Sequence, residues 1–309
     1  MLTSSFYLQY DYMFDFSFNL DAVVEVAVRA SGYLQSSFYY PDQNAFGPRI
    51  QEATMGSLHD HILTYKADFD IVTPNSNSLQ VSELKTVNIT QPWFPELGEF
   101  ESFELDISNM QREQQFNWAP NNQKMFVVIN KNETNPWGEP RGYRIVPGLS
   151  DIHLSTLNSP FSLKNAEFAK SHLAITQHHD NEPFANSVQN ANLPWKPQQD
   201  FAKFFDGENV DGEDVVLWFN LGMHHYTRSE DVPVTLFSEA YSSIVFAPQN
   251  YFARAQDGDL LNRRWVMPKE TEGGSGEFYL EFENLAEALP TCAVDLGEPV
   301  EGLMEMLYV

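Results

Sequence analysis

An alternation of aromatic and polar side chains near the start of the chain constrains the fold more than any other feature. Aromatic residues occupy every second position there: Tyr12, Phe14, Phe16 and Phe18. Side chains two apart on a strand point to the same face, so this pattern predicts a half-buried β-strand. Turn-forming residues at 19–22 and a second apolar stretch at 23–29 follow. The two stretches predict a β-hairpin, and a chain with this start is expected to build sheets.

Further strand patterns recur along the chain, and helical patterns are scarce. Apolar stretches bounded by Pro, Gly and Asn predict strands at 62–72, 79–87, 124–130, 143–146, 215–221 and 242–246. Helical spacing occurs at 161–172 and 198–205, each enough for one short helix. The segment 109–148 predicts either an excursion towards a partner subunit or a plain surface hairpin. For a chain of 309 residues this pattern predicts an all-β fold, built either as two ordinary domains or as one large sandwich or barrel.

The charge balance limits the partners of the chain. With 43 acidic and 18 basic residues, its formal net charge is −25 at pH 7. Such a field repels nucleic acid and anionic membranes and attracts cations, amines included, although acidity also serves solubility alone. No apolar run reaches the roughly 18 residues of a membrane span. The single cysteine excludes an intrachain disulfide, and sequons at Asn88 and Asn132 favour secretion only weakly, so the compartment stays open.

Three histidines predict a metal site. His59 and His61 flank Asp60, so on a strand both side chains lie on one face and can bind one ion together. A distant imidazole, His225, completes a set of three. Shells of histidine with open positions suit copper or zinc rather than calcium or magnesium. The chain is therefore interpreted as a metalloprotein.

Four motifs occur in an order and spacing typical of one enzyme family. They are Gln9-Tyr10-Asp11-Tyr12, His59-Asp60-His61, the stretch 225–234 that begins His225-Tyr226-Thr227-Arg228, and Pro248-Gln249-Asn250-Tyr251-Phe252. Each motif alone is weak, because a tyrosine before an acid and a His-x-His pair both occur in unrelated proteins. Together they resemble the copper amine oxidases over roughly residues 6–268.

The resemblance implies cofactors and a reaction. Tyr10 takes the place of the tyrosine that the family converts to topaquinone, and His59, His61 and His225 take the places of the copper ligands, with His224 a non-ligand neighbour. Copper and the quinone oxidise primary amines to aldehydes with dioxygen, releasing ammonia and hydrogen peroxide. The implied partners are a primary amine and dioxygen, and the implied assembly is a homodimer. The implied fold is a large antiparallel β-sandwich. The implied domains are residues 1–268, part of the family's catalytic supersandwich, and 269–309, an acidic C-terminal extension.

The resemblance also implies a second metal site. Asp68-Phe69-Asp70 matches a peripheral site of the family, which Asp214-Val215 completes. Three carboxylates with the backbone carbonyls of Phe69 and Val215 form a set of oxygen ligands that suits calcium. The alternative is that these acids are solvated strand ends.

The match to the family breaks around the cofactor position. The family has asparagine immediately before the cofactor tyrosine, where this chain has Gln9, which is longer by one methylene and is expected to disturb the orientation of the quinone. The family's proton-abstracting aspartate lies well upstream of that tyrosine, and only nine residues precede Tyr10. The fold is therefore expected to be incomplete at its N-terminus. The isolated chain is expected to keep metal while it oxidises amines poorly or not at all.

Two other functions remain open at the level of the residues. A His-x-His pair with a distant histidine also builds the zinc site of a hydratase or hydrolase. A non-catalytic, metal-stabilised β module is the other alternative. Elsewhere, His178-His179-Asp180 lies among polar residues and is interpreted as part of an exposed loop.

Overall fold

The structure is a computed structural model, and it describes residues 2–7, 10–152, 154, 166–193, 196–236, 240–253, 263–268 and 278–283. The chain divides into two compact units, residues 1–254 and 255–309. The domain boundary after residue 268 that the sequence suggests stays a prediction. Gln9 and residues 161–165 of one predicted helix lie outside the described residues.

Strands dominate the described residues. They are β1 (Leu2–Tyr7), β2 (Tyr10–Phe18), β3 (Val24–Gly32), β4 (Ser36–Phe38), β5 (Arg49–Gln51), β6 (Thr54–Gly56), β7 (His59–Asp68), β8 (Asn77–Thr90), β9 (Glu99–Asn109), β10 (Gln114–Phe116), β11 (Lys124–Thr134), β12 (Pro140–Pro147), β13 (Leu173–Gln177), β14 (Asp211–Glu213), β15 (Val215–His225), β16 (Tyr241–Gln249), β17 (Arg263–Pro268) and β18 (Phe278–Glu283). Short 3₁₀ turns occur at Pro41–Phe46, Pro95–Leu97, Pro120–Asn122, Glu167–Lys170, Val188–Asn192, Phe201–Phe204 and Ser229–Asp231. No α-helix occurs in the part of the chain that the structure describes.

Two antiparallel sheets of the first unit pack face to face. A nine-stranded sheet has the order β1-β2-β3-β16-β12-β11-β8-β14, with β9 paired to β8. A four-stranded sheet has the order β10-β13-β15-β7. The core between them is made of fully buried aliphatic side chains from both sheets: Val28, Leu79, Val128, Ile145 and Ile244 from the larger, and Leu173, Ile175, Leu217 and Leu221 from the smaller. The predicted all-β sandwich is confirmed.

Both faces of the four-stranded sheet are covered around β15. Leu217 and Phe219 face the core between the sheets, whereas Val216 and Trp218 pack with the 3₁₀ turn Phe201–Phe204 in a second hydrophobic cluster. A strand buried on both faces needs a continuous apolar run, which explains the sequence of β15. The strand is therefore held in one register up to its last residue, His225.

The strand predictions hold better than the helix predictions. The hairpin of β2 and β3 is confirmed, with Tyr10 opposite Gly32 and Phe18 opposite Val24. Where helices were predicted, the described residues contain only the 3₁₀ turns Glu167–Lys170 and Phe201–Phe204. Each segment forms a single short turn with buried side chains. Its apolar spacing therefore reflects the burial of that one turn and not the apolar face of a longer helix.

The interpretation of residues 109–148 is wrong. Its two main strands, β11 and β12, lie inside the nine-stranded sheet, paired to β8 and β16 respectively, because their apolar residues are buried there. The long protruding hairpin is instead formed by β8 and β9. Among the described residues there is no helix that is both long enough and apolar enough to cross a membrane.

Candidate metal centre

The pairing of β7 with β15 brings the three predicted histidines together. His59 lies directly opposite His225, and His61 lies opposite Met223. The ring centroids are 4.7 Å apart for His59 and His61, 4.9 Å for His59 and His225, and 5.9 Å for His61 and His225. Each ring offers a nitrogen within 4.8 Å of the other two. One ion can therefore contact all three imidazoles.

Hydrogen bonds on the outer sides of the rings select the nitrogen that each presents. His59 donates from Nδ1 to the carbonyl of Ser57 at 2.7 Å, so its Nε2 carries the lone pair. His61 uses Nδ1 in a 2.7 Å hydrogen bond with the hydroxyl of Tyr12. Nε2 of both rings is buried without a hydrogen-bond partner. Orphaned buried acceptors are costly, and here they are the atoms that a metal ion would satisfy.

His225 presents its other nitrogen. Its Nε2 lies 3.2 Å from Oδ2 of Asp231, and a carboxylate accepts, so Nε2 carries the proton and Nδ1 the lone pair. Both side chains are almost fully buried, at 5% and 2% exposure. The residues present therefore fit a metal held by two Nε2 atoms and one Nδ1 atom, each oriented by an outer hydrogen bond.

Tyr10 of β2 faces the three imidazoles from the opposite sheet. Its ring is 4.7 Å from that of His61, edge to face, and its hydroxyl lies 3.2 Å from Nδ1 of His225. The residue is 7% exposed, and burial raises the pKa of its phenol against the lowering effect of hydrogen bonds with Thr235 and the backbone of Gln35. The phenol oxygen therefore reaches the metal-facing side of the trio in a site that largely excludes water.

The protonation state of His61 favours metal binding. The pKa of His61 is lowered to about 4, mainly by burial and in part by the charges of His59 and His225, against the opposing charge of Asp60. A neutral imidazole is the form that binds a metal. His61 is therefore ready to bind at neutral pH without losing a proton.

His224 points away from the trio. Its Nδ1 lies 2.5 Å from Oδ1 of Asp60, its cross-strand partner, on the opposite face of the sheet. Its amide donates to Asp151 at 3.1 Å. The pair of His224 and Asp60 thus fixes the strand register behind the site and contributes no nitrogen to it.

Close backbone packing keeps the end of β15 beside the loop before His59. A Cβ atom added to Gly56 would lie 2.4 Å from the hydroxyl of Thr227, which follows His225 by two residues. Glycine is required there because any side chain would push the two segments apart. This contact supports the alignment of His59 with His225.

The three acids of the predicted second site lie close together in the structure. Asp68 ends β7 and Asp214 immediately precedes β15, and with Asp70 each offers an oxygen within 4.8 Å of the others. Partial burial raises the pKa of Asp214, and the charges of Asp68 and Asp70 add to the shift. Phe69 packs its ring 5.5 Å from that of Phe246, and Val215 is fully buried. Three carboxylates that repel one another in this way can be neutralised by a cation.

His178 belongs to this acidic cluster, so the interpretation of its loop as merely exposed was incomplete. Its ring nitrogens lie 3.8 Å from Asp68 and 3.6 Å from Asp214, and its amide donates to the carbonyl of Asp214. The next residue, His179, lies 2.7 Å from Glu208. No sequence pattern joins residues so far apart in the chain.

A third acidic group anchors a loop. Glu113 is buried and accepts hydrogen bonds from the amides of Asp206, Gly207 and Glu208 through Oε2 and from Gln177 through Oε1. Glu113, Asp206 and Glu208 offer oxygens within 4.8 Å of one another. No local sequence pattern indicates this group, since Glu113 is about ninety residues from the loop that it binds.

Comparisons with known proteins agree with this geometry. A family model described as "Copper amine oxidase, enzyme domain" matches residues 5–267. The chain is 40% identical over 244 residues to the copper amine oxidase vicK1 of Bipolaris victoriae, which covers 78% of this chain and 34% of that protein. It is 31% identical over 277 residues to the copper-containing diamine oxidase of Sus scrofa, which covers 88% of this chain and 36% of that protein. The chain thus spans about a third of the length of the curated relatives that it matches.

Solved structures give the same result. The amine oxidase of Aspergillus nidulans superposes with a TM-score of 0.80 at 35% identity, covering 99% of this chain and 40% of that one. The lysyl oxidase of Pichia pastoris superposes with a TM-score of 0.82 at 32% identity, covering 97% of this chain and 40% of that one. Both the fold and the sequence therefore match the same group of enzymes.

Proposed function

Because this chain belongs to the copper amine oxidase family, we propose that it forms the copper- and quinone-bearing part of an enzyme that oxidises primary amines to aldehydes, with release of ammonia and hydrogen peroxide. The observation that carries the proposal is the position of Tyr10, whose hydroxyl lies 3.2 Å from Nδ1 of His225 and whose ring lies 4.7–6.2 Å from the three imidazole rings. A zinc hydrolase could use the same three histidines, but only the proposed oxidase requires an oxidisable phenol beside them as the source of its quinone.

In this proposal His59, His61 and His225 hold copper, and Tyr10 is the precursor of topaquinone. When bound, copper and the quinone supply the redox chemistry that oxidises the amine and reduces dioxygen. The protein contributes orientation and exclusion of water: Ser57, Tyr12 and Asp231 fix the three imidazoles through their outer nitrogens. The low exposure of Tyr10 keeps its ring within the sandwich. The effect of Gln9 on the orientation of the quinone stays a prediction.

The test is metal and quinone analysis of the purified chain, expressed with added copper. We expect close to one copper per chain, an electron paramagnetic resonance spectrum with nitrogen coupling, and a positive redox-cycling stain for quinone. Zinc without quinone colour would support a hydratase or hydrolase instead. Copper without quinone would support a non-catalytic metal-stabilised module, and no stoichiometric metal would overturn the proposal. Benzylamine and methylamine are then the first amines to assay, with peroxide as the measured product.

We propose calcium as the ion of the second site. Asp68, Asp70 and Asp214 supply carboxylate oxygens, and the carbonyls of Phe69 and Val215 are the proposed backbone ligands. A hard cation with six to eight oxygen ligands fits this set, and its role would be structural. It would join the end of β7 to the start of β15, the two strands that carry the histidines.

We propose that the active assembly is a homodimer and that the β8–β9 hairpin contributes to its interface. Along β9, apolar side chains alternate with polar ones, and the apolar set is exposed: Phe103 at 78%, Leu105 at 50% and Ile107 at 54%. Leu84, directly opposite Leu105, is 48% exposed on the same face. An apolar strip of this kind on a protruding hairpin fits a protein surface rather than solvent.

A further inference from the structure

We propose that Tyr12 is a positioning residue for the metal and that its phenol oxygen accepts the Nδ1 proton of His61, so that Nε2 of His61 faces the ion. The proposal rests on the proposed function, because it assumes that the three histidines bind one metal. Tyr12 ends the motif Gln9-Tyr10-Asp11-Tyr12, but neither that motif nor the comparisons assign it a role. The observation behind it is that the Tyr12 hydroxyl lies 2.7 Å from Nδ1 of His61.

The position of Tyr12 follows from the strand. Tyr12 is two residues after Tyr10 in β2, so both phenols point to the face that meets β7. The ring of Tyr12 lies 6.3 Å from that of Tyr10 and 6.0 Å from that of His61. Strand β2 therefore carries two phenols at the site. Tyr10 reaches the side of the imidazoles that would face the metal, and Tyr12 contacts the outer side of His61.

The three histidines differ in what holds their outer nitrogen. A backbone carbonyl, of Ser57, holds His59, and a carboxylate, of Asp231, holds His225. Both groups can only accept, so each forces the imidazole into one tautomer. A phenol can accept or donate, and Tyr12 is therefore the one outer partner of the three that is compatible with either tautomer of His61. If it donated, Nε2 would carry the proton and could not bind a metal.

Metal binding selects one of these two arrangements. With Nε2 on the ion, Nδ1 must carry the proton, and the Tyr12 oxygen becomes its acceptor. Nε2 of His61 has no other hydrogen-bond partner among the described residues, which is the state that a metal would complete. Loss of an outer partner of a metal-bound histidine typically weakens metal affinity about ten- to hundredfold.

Packing alone is the competing explanation, since Tyr12 is one of the partly buried residues against the core. Tyr65 offers a matched control. It lies on β7, the strand of His61, packs against the same core and stacks on Phe219 at 4.9 Å. Its hydroxyl is buried with no hydrogen-bond partner. Removing that hydroxyl therefore tests the loss of a phenolic oxygen without the loss of a histidine contact.

The experiment compares wild type, Tyr12→Phe and Tyr65→Phe as full-length, metal-free chains. Each is titrated with Co²⁺ under nitrogen, which leaves Tyr10 unoxidised, and the affinity is read from the visible absorption in competition with a chelator. We expect Tyr12→Phe to bind about ten- to hundredfold more weakly and Tyr65→Phe to bind as wild type does. Copper-loaded Tyr12→Phe should also show altered nitrogen coupling in its paramagnetic resonance spectrum.

The outcomes separate the two proposals. If wild type binds cobalt and Tyr12→Phe binds equally well, the role of Tyr12 is refuted while the three-histidine site stands. If wild type takes up no metal, the proposed function fails and this inference fails with it. If Tyr12→Phe does not fold, proton and nitrogen-15 spectra of the zinc-loaded wild type decide. A downfield-shifted Nδ1 proton of His61 that shows a contact with the ring protons of Tyr12 supports the role, whereas an Nδ1 proton without these signs, or a proton on Nε2, overturns it.

Discussion

The hydroxyl oxygen of Tyr10 and Nδ1 of His225 lie 3.2 Å apart, although the two residues are 215 positions apart in the chain. Asp231 binds the other nitrogen of the same imidazole. His225 is thus held between a carboxylate and a phenol, and the nitrogen that faces the phenol is the one left to bind a metal. The relationship links the proposed cofactor residue to the proposed copper site through one ring.

Replacing Tyr10 by phenylalanine should separate metal binding from quinone formation. We expect Tyr10→Phe to bind copper in the same ratio as wild type, because the three imidazoles keep their outer hydrogen bonds, and to give no quinone stain, because the phenol is gone. Tyr65→Phe, which removes a buried hydroxyl away from the trio, should stain as wild type does. Quinone in Tyr10→Phe would show that another residue is the precursor.

The neighbouring histidines His224 and His225 should differ in their effect on the metal. His225→Gln removes a proposed ligand and should weaken copper binding by more than the roughly hundredfold upper range for loss of an outer partner. His224→Gln removes an imidazole that pairs with Asp60 on the opposite face, and it should leave the affinity within a few-fold of wild type. Isothermal titration or chelator competition measures both. Equal losses in the two variants would contradict the assignment.

Calcium should stabilise the protein through Asp214. At a concentration 100 times Kd, a bound ion adds about 2.7 kcal/mol, which for a domain of about this size raises the Tm by roughly 5–10 °C. Asp214→Asn should abolish this response, and Asp106→Asn, which changes an exposed acid on the β8–β9 hairpin, should keep it. Differential scanning calorimetry with and without a chelator gives the comparison.

In the metal-free protein, Asp214 should destabilise the fold instead of stabilising it. Because the pKa of Asp214 is raised in the folded chain, its ionisation opposes folding. The stability of wild type relative to Asp214→Asn is therefore greatest at low pH and falls as the pH rises through that raised pKa. A stability difference that shifts in favour of wild type as the pH rises, measured with chelator present, would contradict this sign.

His179 should give a pH dependence of its own. Its hydrogen bond with Glu208 raises its pKa, and the charge of Glu208 adds to the shift. The stabilisation is therefore complete below the unfolded pKa of about 6.5 and is lost as the pH rises through the raised value. Urea unfolding of wild type and His179→Gln across this range should show the difference shrinking with rising pH. His172, whose pKa burial lowers, should show the opposite trend in His172→Gln.

The exposed strip of the β8–β9 hairpin should control assembly. We expect wild type to sediment as a dimer and the double variant Phe103→Lys, Leu105→Lys to sediment as a monomer, because charge would be buried in the interface. Glu104→Gln, on the opposite face of the same strand, should remain dimeric. A monomeric wild type would refute the role of the hairpin.

Part of the fold could be predicted because the responsible forces are local. The alternation of aromatic residues in β2 and the apolar run of β15 identify strands from side-chain periodicity and burial. The same periodicity places His59 and His61 on one face. The periodicity also places Tyr12 on the same face as Tyr10, two residues earlier. It does not predict the contact of Tyr12 with His61, because His61 lies on a strand of the other sheet.

Other predictions failed where burial depends on distant chain. The segments 161–172 and 198–205 have helical spacing, yet their described parts form single 3₁₀ turns that pack on the sheet. The segment 109–148 begins polar, and its strands β11 and β12 are nevertheless central, because β8 and β16 lie on either side of them. The role of His178 was missed because Asp68 and Asp214 reach it only through the folded sheet.

The sequence by itself determined that this chain builds antiparallel sheets, carries a pair of histidines on one strand face, and resembles one family of copper enzymes. Only the tertiary structure decided which nitrogen of each imidazole faces inward, that Tyr10 meets His225, and that Tyr12 meets His61. The physical reason is that periodicity is encoded within a strand, whereas hydrogen bonds between sheets depend on register and packing that the whole chain sets together.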